Sequence, residues 1–157
     1  RCVLHGLRRD VRPIGRYGPA EGIASLRDAL ARHSGFSRGV RCTSAQVLVT
    51  NGAQQAFALL GRVLLSPGDV VAMEDPGYPL ARLVFGNQGA KVVSVGVDSE
   101  GIIVDEIPAA AKIIYTTPAH QFPLGMPMSQ ARRVALLERA DELGGISIED
   151  DYDSEFR

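Results

Sequence analysis

Apolar positions along this chain fall in short clusters whose spacing alternates between helical and extended. From Glu21 to about His33, Ile23, Leu26 and Leu30 recur at helical spacing, with Arg27 and Arg32 off that face, which predicts a helix. Thr43-Ser44-Ala45-Gln46 carries the T-x-x-Q pattern of a helix cap or tight turn. Val47–Thr50 reads as a short strand, and a helical pattern follows from Ala53 to about Leu65. Strands are predicted over Val70–Met73, Lys91–Val97, Lys112–Thr116 and Ile146–Ile148. Helices are predicted over Leu80–Phe85 and from a Ser129 cap to about Leu143, with Val134, Leu136, Leu137 and Ala140 as the apolar stripe of the second. Breakers separate these runs: Asn51-Gly52, Pro67-Gly68-Asp69, Asp75-Pro76-Gly77, Asp98 to Gly101, and the loop from Pro118 to Pro127. Residues 1–20 read as irregular.

Short apolar strands alternating with helices argue for an α/β layer structure with a mostly parallel sheet. In such sheets ligands sit beyond the carboxyl ends of the strands. The unusual residues are predicted there: Asn51-Gly52, Asp75 to Tyr78, Pro118 to Gly125, and Asp150 to Tyr152.

Bulk properties narrow the picture only a little. The chain has 157 residues, enough for one domain with a real core. A net charge of -1 gives no electrostatic reason for this segment to bind nucleic acid or an anionic membrane directly. No apolar run is long enough to span a bilayer as a helix, and no signal peptide is recognisable. Cys2 and Cys42 form neither a disulfide framework nor a metal spacing, so a reduced, cytoplasmic protein is expected. The chain has no initiating Met and stops just after a motif-like strand exit, which reads as a fragment of a longer protein.

Several residues could carry chemistry. Gly52-Ala53-Gln54 opens a helix directly after a predicted strand; backbone N–H groups and the helix dipole there suit an anion, although a plain turn gives the same pattern. Glu149-Asp150-Asp151 ends a strand, and an inward-facing acid there needs a cation, a metal or a protonated heterocycle. A solvated acidic loop and a Mg²⁺ site are the alternatives. Tyr78 and Tyr152 could present a ring or a hydroxyl at a strand exit, or simply pack. His120 and Gln121 lie on a loop pinned by Pro118 and Pro123.

Taken in order, Thr50-Asn51-Gly52-Ala53-Gln54-Gln55-Ala56, Glu74-Asp75-Pro76-Gly77-Tyr78-Pro79, Thr117 to Gly125 and Glu149 to Arg157 resemble the class I/II aminotransferase domain of MocR-type regulators. Such regulators join a GntR-like winged helix to a domain that binds pyridoxal phosphate (PLP). The resemblance implies a three-layer α/β/α, fold-type I large domain, incomplete here, covering residues 1–157. It implies that Asp150 pairs with the PLP ring nitrogen, Tyr152 bonds the phenolic oxygen, and Tyr78 stacks on the ring. Gly52, Ala53 and Gln54 would hold the phosphate, and Tyr17 would reach the phosphate of a neighbouring subunit in a homodimer. Where most aminotransferases have Asn before the loop proline, Phe122 stands here, so Gln121 or His120 would take over its contact. The only lysines are Lys91 and Lys112, and neither matches the Schiff-base lysine of the family; no catalytic residue is assigned in this chain. The implied function is an effector sensor for a small amine or amino acid, with DNA bound through a separate domain. The alternatives are a working aminotransferase and a phosphate- or Mg²⁺-binding α/β domain without PLP.

Overall fold

The structure is a computed structural model, and it describes residues 17–152. The chain divides at Asn51 into two compact units.

In the first unit, helix α1 spans Ala24–Arg38 and ends at Gly39. It starts later than the periodicity predicts and continues five residues past His33, through Gly35. A one-turn 3-10 helix, Ser44–Gln46, carries the expected capping box, with the Gln46 side chain accepting from the Thr43 N–H at 3.0 Å. The strand predicted over Val47–Thr50 is not formed. Its backbone groups are used locally instead: the Val47 N–H donates to Ser44 O, the Val49 N–H donates to Glu21 O, and the Arg27 side chain donates to Val47 O. A β-branched run thus lies extended without a ladder, because its partners come from a turn and a helix end.

The second unit is a five-stranded sheet with helices on both faces. Its elements are α2 (Ala53–Leu64), β1 (Val70–Asp75), α3 (Pro79–Asn87), β2 (Lys91–Asp98), β3 (Gly101–Ile102), β4 (Ala111–Thr116), α4 (Gln130–Glu142) and β5 (Ile146–Glu149). The strand order is β3-β2-β1-β4-β5. All pairings are parallel except β2 with β3, which form an antiparallel hairpin. The predicted α/β architecture with a mostly parallel sheet is therefore what the chain forms.

Period-two alternation distributes the strands' side chains between two cores. Val71 and Met73 of β1, Ile113 and Tyr115 of β4 and Ile148 of β5 pack with Phe57 of α2 and with Ala81 and Phe85 of α3. Ala72, Val95 and Ile114 face the other way, onto Leu136 and Ala140 of α4. β1 and β4 sit in the middle of the sheet and are covered on both sides, so they read as continuous apolar runs. Ser129 caps α4 as expected, its hydroxyl accepting from the Arg132 N–H at 3.1 Å. Arg132 itself donates to Asp98 at 2.8 Å, fastening α4 to the end of β2. Among the described residues no helix is long and apolar enough to cross a membrane.

Candidate functional site

The carboxyl ends of β1, β4 and β5, with the start of α2, surround one pocket of about 200 Å³. Ala53, Tyr78, Thr117, Phe122, Asp150 and Tyr152 line it. This is where a parallel sheet gathers its strand exits.

Local sequence explains how each wall is placed. β1 ends at Asp75, and the turn Pro76-Gly77 folds back so tightly that a Cβ on Gly77 would lie 2.2 Å from Glu74 O. Only glycine fits there. The turn delivers Tyr78 as the residue preceding α3, whose first position is Pro79, a favoured place for proline. Gly52 precedes α2 with φ 92°, in the region that L side chains avoid, and brings Ala53 into the pocket wall. Asp150 follows β5, and its N–H donates to Thr116 O at 2.9 Å.

The walls are largely aromatic. Phe122 stands edge-on to Tyr78, with centroids 5.5 Å apart, and edge-on to Tyr152 at 6.3 Å. His120 stands edge-on to Tyr152, with centroids 5.8 Å apart. Against these rings stands one carboxylate, Asp150, whose Oδ2 accepts from the Tyr115 hydroxyl at 2.6 Å. Burial first, and then the bond to Asp150, push the Tyr115 phenol far above its ordinary value, so it remains a donor.

A second carboxyl supports the loop. Glu74 is 1% exposed, and its Oε2 accepts from the Thr117 N–H, the Thr117 hydroxyl and the Gln121 amide at 3.1, 2.7 and 3.3 Å. Burial raises its carboxyl above the usual value and outweighs those bonds. The Gln121 amide also donates to Pro76 O at 2.8 Å and accepts from the Leu124 N–H at 3.1 Å. The Phe122 N–H donates to the Thr117 hydroxyl at 2.9 Å. The loop that presents Phe122 is therefore tied to the end of β1.

Of the residues singled out from sequence, Ala53, Tyr78, Asp150 and Tyr152 come together around the pocket. Gly52 adjoins Ala53, and Gln54 lies exposed in the first turn of α2. His120 stands edge-on to Tyr152 and does not line the pocket. Gln121 is buried, with its amide engaged by Glu74, Pro76 and Leu124. Tyr17 is exposed and belongs to the first unit. Sequence reasoning passed over Thr117, Tyr115 and Glu74. Two of them carried a signal: Glu74 extends the apolar run Val70–Met73, and Tyr115 shares the buried phase of β4 with Ile113. A charge or a phenol so placed requires a partner. Among the described residues no group of three or more His, Cys, Asp or Glu side chains is arranged to hold a metal ion.

The sequence profile of the family "Aminotransferase class I and II" matches residues 3–152, and this chain belongs to that family. Among solved structures, an archaeal alanine:glyoxylate aminotransferase superposes with a TM-score of 0.87 at 36% identity, over 94% of this chain and 39% of that one. Among curated proteins, the HTH-type transcriptional regulator TauR of Rhodobacter capsulatus is 38% identical over 98% of this chain and 32% of its own length. The probable rhizopine catabolism regulatory protein MocR of Rhizobium meliloti is 39% identical over 87% of this chain and 28% of its own length. The chain thus spans about a third of the length of these curated relatives.

Family membership implies pyridoxal phosphate as cofactor, and the pocket fits it. Flat aromatic walls suit a pyridine ring, a fixed carboxylate suits its protonated nitrogen, and a helix start suits its phosphate.

Proposed function

We propose that this chain is the PLP-holding part of an aminotransferase-fold sensor domain in a MocR-type transcriptional regulator. The observation that carries the reading is the Asp150 carboxylate, anchored by Tyr115 in a pocket walled by Tyr78, Phe122 and Tyr152. The regulators TauR and MocR, similar along nearly the whole chain, support the sensing role over a purely metabolic one.

In this reading residues 1–157 are part of the large domain of a cytoplasmic homodimer. Asp150 faces the ring nitrogen and keeps it protonated. Tyr152 donates its hydroxyl to the ring's phenolic oxygen, and Tyr78 stacks on the ring. Gly52, Ala53 and Gln54 bind the phosphate at the α2 start, where the helix dipole favours an anion. Tyr17 serves the partner's phosphate. His120 and Gln121 act through the loop, His120 against the Tyr152 ring and Gln121 through its bond to Pro76 O. Bound PLP supplies an electrophilic carbonyl that a small amine or amino acid can engage. The aromatic walls exclude water from that carbonyl and confine the amine. DNA is bound through a winged-helix domain outside this chain.

A second reading, an aminotransferase acting on an amino acid and an oxo acid, is favoured by the likeness to the alanine:glyoxylate enzyme. One experiment separates the two. The full-length protein is incubated with PLP and a panel of amines, and both binding to its own promoter DNA and amino transfer to an oxo acid are followed. The sensor reading predicts an amine-dependent change in DNA affinity without sustained turnover. Sustained turnover with unchanged DNA affinity would establish the enzyme instead.

A further inference from the structure

Tyr115 is the largest side chain that the described fold buries completely. It lies on β4, on the sheet face covered by α2 and α3. Phe57 meets its ring edge-on at 5.4 Å and 88°, and Phe85 meets it at 6.3 Å and 65°. Those contacts fix where the hydroxyl can be. A buried phenol must find a partner, and this one finds Asp150 Oδ2 at 2.6 Å rather than a backbone carbonyl. The main chain of Asp150 is held by the adjacent residue, through its N–H to Thr116 O at 2.9 Å. Two neighbouring residues of β4 thus fasten both the backbone and the carboxylate of Asp150.

We propose that Tyr115 is the positioning residue of Asp150, its hydroxyl fixing the direction of the carboxylate that meets the PLP ring nitrogen. The inference rests on the reading of Asp150 as that nitrogen's partner. The aromatic core between sheet and helices then does more than stabilise the fold. Phe57 and Phe85 hold Tyr115, Tyr115 holds Asp150, and Asp150 sets the protonation of the ring. A carboxylate free to rotate would meet the nitrogen in only part of its orientations, and the ring would lose its proton.

Tyr115→Phe tests this, because it removes the hydroxyl and keeps the ring. In the full-length protein, PLP affinity and the ¹⁵N resonance of ring-labelled PLP are compared for wild type, Tyr115→Phe, Asp150→Ala and the core control Leu136→Ala. A hydrogen bond to a charged group corresponds to about a tenfold change or more in affinity. Tyr115→Phe is expected to weaken PLP by about that factor and to move the resonance toward the unprotonated value. Leu136→Ala, a packing lesion in the core on the other sheet face, should leave the resonance close to wild type. A wild-type resonance in Tyr115→Phe overturns the proposal, whatever happens to its melting temperature. Asp150→Ala separates this failure from that of the underlying reading. If Asp150→Ala also binds PLP with wild-type affinity and resonance, the assignment of Asp150 is wrong. If Asp150→Ala changes both and Tyr115→Phe changes neither, only the role of Tyr115 is wrong. Should Tyr115→Phe not fold, Tyr115→Met also removes the hydroxyl while filling much of the space. A resonance moved toward the unprotonated value there supports the proposal, and a wild-type one overturns it.

Discussion

Replacing Glu74 by alanine should destabilise the second unit in a way that depends on pH. Glu74 is almost fully buried, and its Oε2 gathers three donors from the loop bearing Phe122. Truncation strands two buried donors, the Thr117 N–H and the Thr117 hydroxyl, which still accepts from the Phe122 N–H but loses the acceptor for its own proton; Gln121 keeps Pro76 O. Two stranded buried donors cost about 2–6 kcal/mol. The small void adds about 1 kcal/mol. The net loss is then about 3–7 kcal/mol, or at least about 6 °C in melting temperature for a domain of this size. The pH dependence follows from the carboxyl being raised above 4.5 by burial. A raised carboxyl favours the protonated form in the folded state. Its contribution is full below about 4.5 and is lost as pH rises through the folded value. The penalty of Glu74→Ala should therefore be larger near pH 4 than near pH 8, and Glu74→Gln should remove the dependence by fixing the neutral state. Thermal melts followed by circular dichroism at both pH values read this directly. A melting temperature within about 1 °C of wild type at both, or a larger penalty at the higher pH, would refute the reasoning.

Three further outcomes follow from the same geometry. Gly77→Ala places a Cβ 2.2 Å from Glu74 O, so the turn must open; a loss of about 1–3 kcal/mol in denaturant unfolding and weaker PLP binding are expected, because Tyr78 moves with it. Gly52→Ala forces an L side chain to φ 92°; PLP should bind several-fold more weakly while inorganic-phosphate competition weakens in parallel, and equal affinity by fluorescence titration would count against a phosphate site at the α2 start. Asp98 is held below 3.8, first by the Arg132 side chain and then by the Glu100 N–H, so its contribution is present above that value and lost as pH falls through the folded value. Asp98→Asn should accordingly flatten part of the acid-side decline in melting temperature while leaving the slope between pH 6 and 8 unchanged.

Much of this was legible in the sequence because the second unit is locally consistent. β1, β2, β4 and β5 each announce themselves as short apolar runs between turn residues, and Ser129 marks the start of α4. Tyr78, Asp150 and Tyr152 could be placed together because all of them follow strands of one parallel sheet. What escaped has physical reasons. β3 is two residues long, too short to show a period, and exists only by pairing back onto β2. Val47–Thr50 has strand composition but no strand for a neighbour among the described residues, and composition cannot reveal that. Glu74 and Tyr115 act from beneath the pocket, through bonds spanning 43 and 35 positions of sequence. Such links depend on strand order, which periodicity does not encode. Gln121 illustrates the same point: read as a pocket residue from its loop, it is buried with both ends of its amide bonded to protein.

The central claim is that the pocket around Asp150 receives pyridoxal phosphate. The most direct measurement is an absorbance titration of the full-length protein with PLP, run in parallel on Asp150→Ala and Tyr152→Phe. The account predicts a saturable spectral change in wild type, weakened at least tenfold by Asp150→Ala and shifted in wavelength by Tyr152→Phe, as expected if their side chains touch the ring. A saturable change of the same affinity and wavelength in all three proteins, or none in wild type, would contradict it.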